Sequence, residues 1–279
     1  MEFAPSCSCC IASYLALQMI IAFLLLYAGT TSMLITKKST IFWKVLIVAL
    51  NIVLLVSICI TMALTQSSDF RAWFFSRLFF YISNIDKPDP TRCALFSNIK
   101  GRVLELGPGP GTNFKCIVNN TAITEWVGVE PNNFFRDKQR ERIEKMKLGY
   151  PARTVWLKGE DIDIEPGTFD HVIGTHVLCS VNSVSDVLRQ VSRALKPSGS
   201  YIFFEHVLSA NSDSMRYWQE LFSPLFYYVG NGCQFRDLER EILEFFAGFE
   251  NFHVNVTRLE AAVPIPVIRP HISGSVLKI

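Results

Sequence analysis

The sequence predicts an α/β domain behind an N-terminal membrane helical hairpin. The domain is an open, mostly parallel sheet with helices on both faces and an antiparallel hairpin at its end. Three observations lead there. Two uncharged apolar runs come early in the chain; short apolar strands then alternate with helical stretches; and one of those strands runs into a loop with glycine at every second position.

The 279 residues carry 27 basic and 25 acidic side chains, a net charge of +2. That balance leaves no basic face for nucleic acid. The hydrophobic share of 49% is high for a soluble enzyme, and the excess lies in the first 80 residues. Ile11 to Ile35 and Val45 to Thr65 hold no charge, and each reaches the roughly 20 residues that cross a hydrocarbon core as a helix. Thr36 to Thr40 forms the polar turn between them, with Lys44 placed to snorkel. The first run is longer than the apolar core of a cleaved signal peptide. Cys7, Cys9 and Cys10 just before it are candidate palmitoylation sites.

Phe70 to Phe80 is aromatic with Arg71 and Arg77, a pattern that fits either a helix in the membrane interface or a cap on the domain that follows. Lys37, Lys38 and Lys44 would hold the connecting turn in the cytosol, whereas Arg71 and Arg77 pull the other way, so orientation stays open. Asn119 and Asn255 sit in glycosylation sequons that report on it. Asp86 to Pro90 breaks the helical pattern. The expected organisation is an anchor over 1–68, an interfacial helix and linker over 69–92, and a catalytic domain over 93–279.

The eight cysteines contain no matched pair of C-x-x-C motifs, which argues against zinc and leaves the metal set empty. Those beyond residue 90 are scattered, as reduced thiols would be.

Within the domain, strands are expected at 102–106, 126–129, 154–157, 170–174 and 201–204, with helices from Thr112, over 134–147 and over 184–195. The rhythm then changes. Asn251 to Leu259 and Gly274 to Ile279 are strand-like, with no crossover helix between them, so they must pair antiparallel. A nicotinamide-binding domain would continue with a crossover helix; a terminal hairpin is the class I methyltransferase arrangement.

The loop Gly107-Pro108-Gly109-Pro110-Gly111 lies where a strand turns into a helix, so backbone N–H groups can approach a ligand closely. Its spacing differs from the dinucleotide fingerprint, and Glu105 precedes it. An acid there would repel a pyrophosphate and suits the amino group of S-adenosylmethionine. Glu130 ends the second strand, where an acid accepts both ribose hydroxyls. Gly159 and Glu160 follow the third strand, where the chain wraps an adenine, with Asp161 as the alternative acid. Asn113, Pro131 and Thr175 complete the donor-binding set.

These residues lead to a resemblance. Glu105-Leu106-Gly-x-Gly-x-Gly-Thr-Asn-Phe, Leu178-Cys179-Ser180-Val181, Lys196-Pro197-x-Gly199, Glu205-His206-Val207, Trp218-Gln219, Gly232-Cys233 and Arg269-Pro270-His271-Ile272-x-Gly274 resemble the membrane-associated thiol S-methyltransferases of the methyltransferase-like group. The likeness runs from about Leu95 to Lys278, and its Glu-His-Val, Gly-Cys and Arg-Pro-His-Ile elements are the most specific. It implies small alkyl thiols as acceptors and residence at the endoplasmic reticulum membrane, in some members also lipid droplets. Three features depart from the family: prolines at 108 and 110, Glu130 in place of the usual Asp, and two long apolar spans instead of a shorter apolar N-terminus.

Methyl transfer from a sulfonium is an in-line displacement that needs positioning and, for a protonated acceptor, a base. A thiol with a pKa near about 8.5 needs only a modest push. His206 is the first candidate for base or orienter, followed by His176 and His271; Cys179 and Cys233 read as packing residues. Phe222 to Tyr228, after the fifth strand, is placed to form an apolar lid that admits lipophilic acceptors. The expected partners are therefore a small lipophilic thiol and membrane lipid, with no metal and no nucleic acid. Two alternatives remain at this stage: an O- or C-methyltransferase of a quinone, sterol or lipid, and a catalytically silent scaffold at a membrane or lipid-droplet surface.

Overall fold

The structure, a computed structural model, describes residues 41–85 and 90–279. The run at 11–35, the polar turn and the three N-terminal cysteines lie outside the described residues. The chain divides into two compact units at Arg71/Ala72.

In the first unit, α1 spans Ile41–Gln66. At 26 residues it is about 39 Å long, more than the roughly 30 Å of a hydrocarbon core, and almost none of it is buried. Asn51, Ser57, Thr61 and Thr65 all bond to carbonyls of the preceding turn. Ser57 and Thr61 donate to the carbonyls of Val53 and Ser57 at 2.8 and 2.9 Å, so they present no unpaired hydroxyl to an apolar surrounding. Arg71 closes the end by donating to the Leu64 carbonyl at 2.9 Å, a cation on the negative end of the helix dipole. Among the described residues this is the one helix long and apolar enough to cross a membrane.

Helix α2, Ser68–Ile85, enters the second unit at Ala72. Phe75 and Phe79 stack at 5.2 Å and both present to the edge of Phe135, and the Lys138 ammonium lies 4.8 Å over the Phe80 ring. The Ala72 carbonyl accepts from the Asn132 side chain at 2.9 Å. The segment packs Phe75 and Phe79 against Phe135 and leaves Trp73, Leu78 and Tyr81 exposed.

The sheet has the order β3-β2-β1-β4-β5-β7-β6. The strands are β1 Gly101–Leu106, β2 Ile123–Val129, β3 Ala152–Val155, β4 Phe169–Thr175, β5 Leu195–His206, β6 Phe252–Glu260 and β7 Pro270–Lys278. The first five pair in parallel; β7 runs antiparallel to both β5 and β6. Gly274 is what lets β7 fit between them, because a Cβ there would sit 2.1 Å from the Asn255 carbonyl. The central strands are buried on both faces, as a doubly covered parallel sheet requires. One core gathers around Phe203, Leu188 and Ile242; the other holds Phe96, Phe114 and Trp126, whose last two rings meet edge-on at 4.7 Å.

Helices α4 (Phe114–Ile117), α5 (Arg136–Met146) and α6 (Val184–Ala194) fill the expected places, while the short α3 (Pro90–Leu95) falls where only a linker was expected. The helix after the loop starts at Phe114, not Thr112, and is a single turn. Two further helices were not expected: α7 (Asp213–Val229), which contains the candidate lid residues 222–228, and α8 (Leu238–Ala247). Strand β5 also starts six residues early, at Leu195, taking Lys196 to Gly199 into the strand.

The expectation of reduced thiols is corrected at one pair: Cys93 on α3 and Cys116 on α4 form a disulfide. Their separation of 23 residues hid it in the sequence, since nothing local marks the pair. The bridge ties the segment preceding β1 to the helix that follows the glycine loop. For a closed loop of this size it stabilises by about 3 kcal/mol. Cys93→Ser is therefore expected to lower the melting temperature, and reductant should produce the same drop in the parent and none in the variant. Equal melting of parent and variant without reductant would contradict the bridge.

Candidate active site

The carboxyl ends of β1, β2, β4 and β5 converge on one side of the sheet, the crevice where open α/β folds bind ligands. Gly107, Gly109 and Gly111 all adopt positive φ, at 55°, 54° and 83°. A Cβ at Gly107 would lie 2.5 Å from Val177, and one at Gly111 would enter the Phe114 ring. These two positions need glycine for space as well as for conformation.

Two buried acids brace the loop. Glu105, 1% exposed, accepts from Asn113 and from the Trp126 indole, each at 2.9 Å. The same Asn113 amide donates to Thr175 at 3.0 Å, so one side chain joins β1 to β4 across the crevice. Glu130 accepts from the Gly109 N–H at 2.9 Å through one oxygen and from the Asn132 N–H at 2.8 Å through the other. The Gly109 carbonyl in turn accepts from buried Gln139 at 2.9 Å. Prolines at 108 and 110 have no N–H to give, so the loop is held by Gly107 N–H on the Val129 carbonyl, Gly111 N–H on the Pro108 carbonyl, and Gly109 pinned through both its N–H and its carbonyl. Phe79 of α2 and Phe135 cover it. Trp126, Asn132 and Gln139 were absent from the sequence-derived set; the only signal for them was burial, which a sequence does not display.

Burial pushes both acids up to about 7, against two hydrogen bonds each that pull down. Each carboxylate oxygen here holds one protein donor and keeps a second lone pair. Glu130 can therefore accept two ribose hydroxyls without releasing the loop, and Glu105 can accept an ammonium. The residues present fit S-adenosylmethionine.

Gly159 and Glu160 form a short 3-10 turn after β3. One Glu160 oxygen accepts from the Asn182 N–H at 2.7 Å, at the start of α6, so this acid is engaged in the fold and has its other oxygen to offer. Pro131 continues directly from Glu130.

On the acceptor side, three imidazoles meet. His176 leaves β4 with φ of 55°, a left-handed conformation uncommon for histidine and frequent at functional positions. Glu205 holds that turn. Its buried carboxylate accepts from the Val177 N–H at 3.0 Å and the Leu178 N–H at 3.2 Å, and burial pushes it up to about 7. Glu205 is thus a positioning residue that the sequence offered only as the neighbour of His206. His271 Nδ1 lies 2.9 Å from the Arg269 carbonyl, which can only accept, so Nδ1 carries a proton. In neutral His271, Nε2 is then an acceptor and takes a hydrogen bond from His176 Nε2–H at 2.8 Å. His176 is left with its lone pair on Nδ1. Burial, and then its two neighbouring histidines, hold His176 well below the ordinary imidazole range, so it is neutral at working pH.

His206 takes a different partner, with Nε2 3.1 Å from Cys233 Sγ. The Cys233 segment is held between two strand ends: the Gln234 N–H donates to the Cys179 carbonyl and the Leu208 N–H to the Arg236 carbonyl. The structure therefore brings together His176, His206 and His271 with Cys179 and Cys233, two residues the sequence had assigned to packing. Two aromatic contacts, Phe226 to Phe235 at 5.0 Å and Phe235 to His206 at 5.6 Å, lead from α7 to this cluster. The expected lid residues lie on α7, and that helix shows solvent an apolar stripe of Tyr217, Trp218, Leu221, Phe222 and Leu225. Its neighbour Gln219 is fully buried and bonds to Ser209, Val207 and Val267, fixing α7 to the sheet edge.

Sheet order, glycine loop and paired acids define a class I S-adenosylmethionine-dependent methyltransferase, and residues 104–203 match the methyltransferase domain family. The fold is shared with geranyl diphosphate C-methyltransferase from Streptomyces coelicolor A3(2), with a TM-score of 0.54 at 12% identity over 68% of this chain and 77% of that one. In sequence, the chain is 34% identical to thiol S-methyltransferase TMT1B of Homo sapiens over 69% of its own length and 80% of the relative's. It is 31% identical to human thiol S-methyltransferase TMT1A, over 66% and 77%. The chain belongs to this thiol S-methyltransferase family. S-adenosylmethionine is its cofactor.

Glu130→Gln keeps the shape and loses a charged acceptor, a change worth about 1.5–3 kcal/mol. It is expected to weaken donor binding about 10- to 100-fold in calorimetry and, because its NH2 must face the Gly109 or Asn132 N–H, to lower the melting temperature as well; unchanged affinity would place the ribose elsewhere. A pH dependence also follows. Each raised acid binds its proton more tightly folded than unfolded, so its contribution to stability is full below 4.5 and is lost as pH rises to about 7. Donor binding runs the opposite way, because a cationic ligand needs the carboxylates charged. Affinity for S-adenosylmethionine should increase from about pH 6 to about pH 8, with protons released on binding. A flat profile would show that the acids are already ionised.

Proposed function

We propose that the protein methylates small lipophilic alkyl thiols at sulfur, at the membrane of the endoplasmic reticulum. The observation that carries this reading is its match to the thiol S-methyltransferases over about four-fifths of the human TMT1B sequence. The bound donor supplies an electrophilic methyl group. Glu130 holds the ribose, Glu105 the amino group through the loop, Gly159 and Glu160 the adenine edge, and Thr175 the end of β4 beside the reacting centre.

The acceptor sulfur attacks in line: a carbon–sulfur bond forms to the acceptor as the sulfonium bond breaks, and that bond's electron pair stays on the donor sulfur. The thiol proton must leave first. His176 is placed to take it on Nδ1, with His271 behind it and the Arg269 carbonyl holding the relay in one tautomer. Such a base needs no strong push, because a thiol is already a few per cent thiolate at neutral pH.

Two features favour a lipophilic acceptor. The exposed stripe of α7 gives an apolar route to the cluster through Phe226 and Phe235, and helix α1 is built to lie in a hydrocarbon layer. In this reading the first 68 residues anchor the enzyme and α2 lies at the interface with its exposed aromatic face.

Purified full-length protein in detergent, given S-adenosylmethionine and a panel of alkyl thiols, catechols, quinones and sterols, is expected to give S-methyl products, with turnover rising along a series of longer alkyl thiols. His176→Gln should reduce the rate about 10- to 100-fold and steepen its increase with pH, since the thiolate must then form without help. O- or C-methyl products without any S-methyl product would replace the thiol reading. Donor binding with no product from any acceptor would favour the scaffold.

A further inference from the structure

Cys179, His206 and Cys233 come from three separate segments, and their Sγ, Nε2 and Sγ atoms all lie within 4.8 Å of one another. Both cysteines are free thiols, although Cys93 and Cys116 in the same unit are joined. Cys179 is 1% exposed and His206 5%. The local backbone is shaped to make the meeting. Asn231 and Gly232 take positive φ, at 53° and 98°, turning the chain so that Cys233 returns toward the end of β4. The bond from Gln234 N–H to the Cys179 carbonyl holds the two cysteine segments side by side.

Packing alone explains this cluster poorly. Two thiols and an imidazole are a soft donor set, and His206 is held on the thiol side through Nε2, its buried Nδ1 having no hydrogen-bond partner among the described residues.

We propose that Cys179, His206 and Cys233 form a binding site for a thiophilic divalent cation of the zinc type, with a fourth position open toward the acceptor. Two thiolates, a neutral imidazole and a dication sum to no net charge, which makes the group stable where it is buried. Tetrahedral bonds of about 2.0–2.3 Å put ligand atoms about 3.5–3.8 Å apart, so the His206–Cys233 pair at 3.1 Å opens by roughly half an ångström and the wider contacts close in. Binding releases the two thiol protons to solvent. The bound cation would also keep this pair from the oxidation that joins Cys93 and Cys116. Three protein ligands are the number that leaves room for an exchangeable one. On the function proposed above, the acceptor thiol gives its proton to His176, fills that position as a thiolate, and leaves after methylation as a weakly binding thioether. This site departs from the metal-free expectation of the sequence, in which 53 intervening positions between Cys179 and Cys233 hide any paired motif.

The test is titration of the full-length protein, purified in detergent with reductant and stripped with chelator, with cobalt(II) chloride. Saturation at one cobalt per chain is expected, with a thiolate-to-cobalt charge-transfer band, tetrahedral ligand-field bands and proton release. Cys233→Ser, chosen because Cys233 is only half-buried, should weaken this binding by more than about 100-fold, beyond the loss that even outer partners of a metal site produce. Cys59→Ser should leave it unchanged, and calorimetry with S-adenosylmethionine confirms that each variant is folded. No thiolate band, a band that survives Cys233→Ser, or a Cys179–Cys233 disulfide in protein purified without reductant would overturn the site. An alkyl thiol added to the cobalt protein should shift the bands; a spectrum that does not move overturns the open fourth position. Because these readouts need no turnover, they separate failure of the metal site from failure of the thiol assignment.

Discussion

The Glu130 carboxylate, gripping the Gly109 N–H with one oxygen and the Asn132 N–H with the other, fixes where the donor loop meets the end of β2. Around it the other contacts fall into place. Gln139 holds the Gly109 carbonyl, the Asn132 side chain reaches the Ala72 carbonyl, and Phe135 packs under the Phe75–Phe79 pair. The helix that follows the membrane-type segment is therefore bonded to the residues that carry the donor site. Glu105 does the same on the far side of the loop through Asn113 and Thr175. A buried acid without such partners would be strongly unfavourable, and the donor's positive charges are the natural complement to two of them.

The acceptor side is organised by backbone more than by side chains. Glu205 captures the N–H groups of Val177 and Leu178, and the left-handed turn at His176 follows from that capture. His176 then faces His271, whose tautomer is set by the Arg269 carbonyl in the turn just before β7. The short antiparallel ending of the sheet has a chemical consequence here, because β7 pairs His271 directly opposite His206 of β5. A sheet continued by a crossover helix would not place a histidine there.

Much of this was legible in the sequence. Strand periodicity, the glycine loop and the two acids located the crevice, and the absence of a final crossover predicted the hairpin that the β5-β7-β6 order contains. The helices α7 and α8 were not read, since α7 mixes exposed aromatics with a buried glutamine and so hides its period. Long-range pairs were invisible for a different reason. Cys93 with Cys116, and Cys179 with Cys233, are brought together by the folded sheet, and no spacing rule encodes them. Gln139 and Trp126 read as ordinary helix and strand residues; only their neighbours reveal that they hold the loop and its acid.

The most direct measurement is an experimental structure of the protein with S-adenosylhomocysteine bound. The Glu130 carboxylate is expected on both ribose hydroxyls while retaining its Gly109 and Asn132 donors, with the ligand sulfur directed past Thr175 toward His176 and the Cys179–His206–Cys233 cluster. A ligand whose ribose lies away from Glu130, or whose sulfur points out of the crevice away from the histidines, would contradict the account.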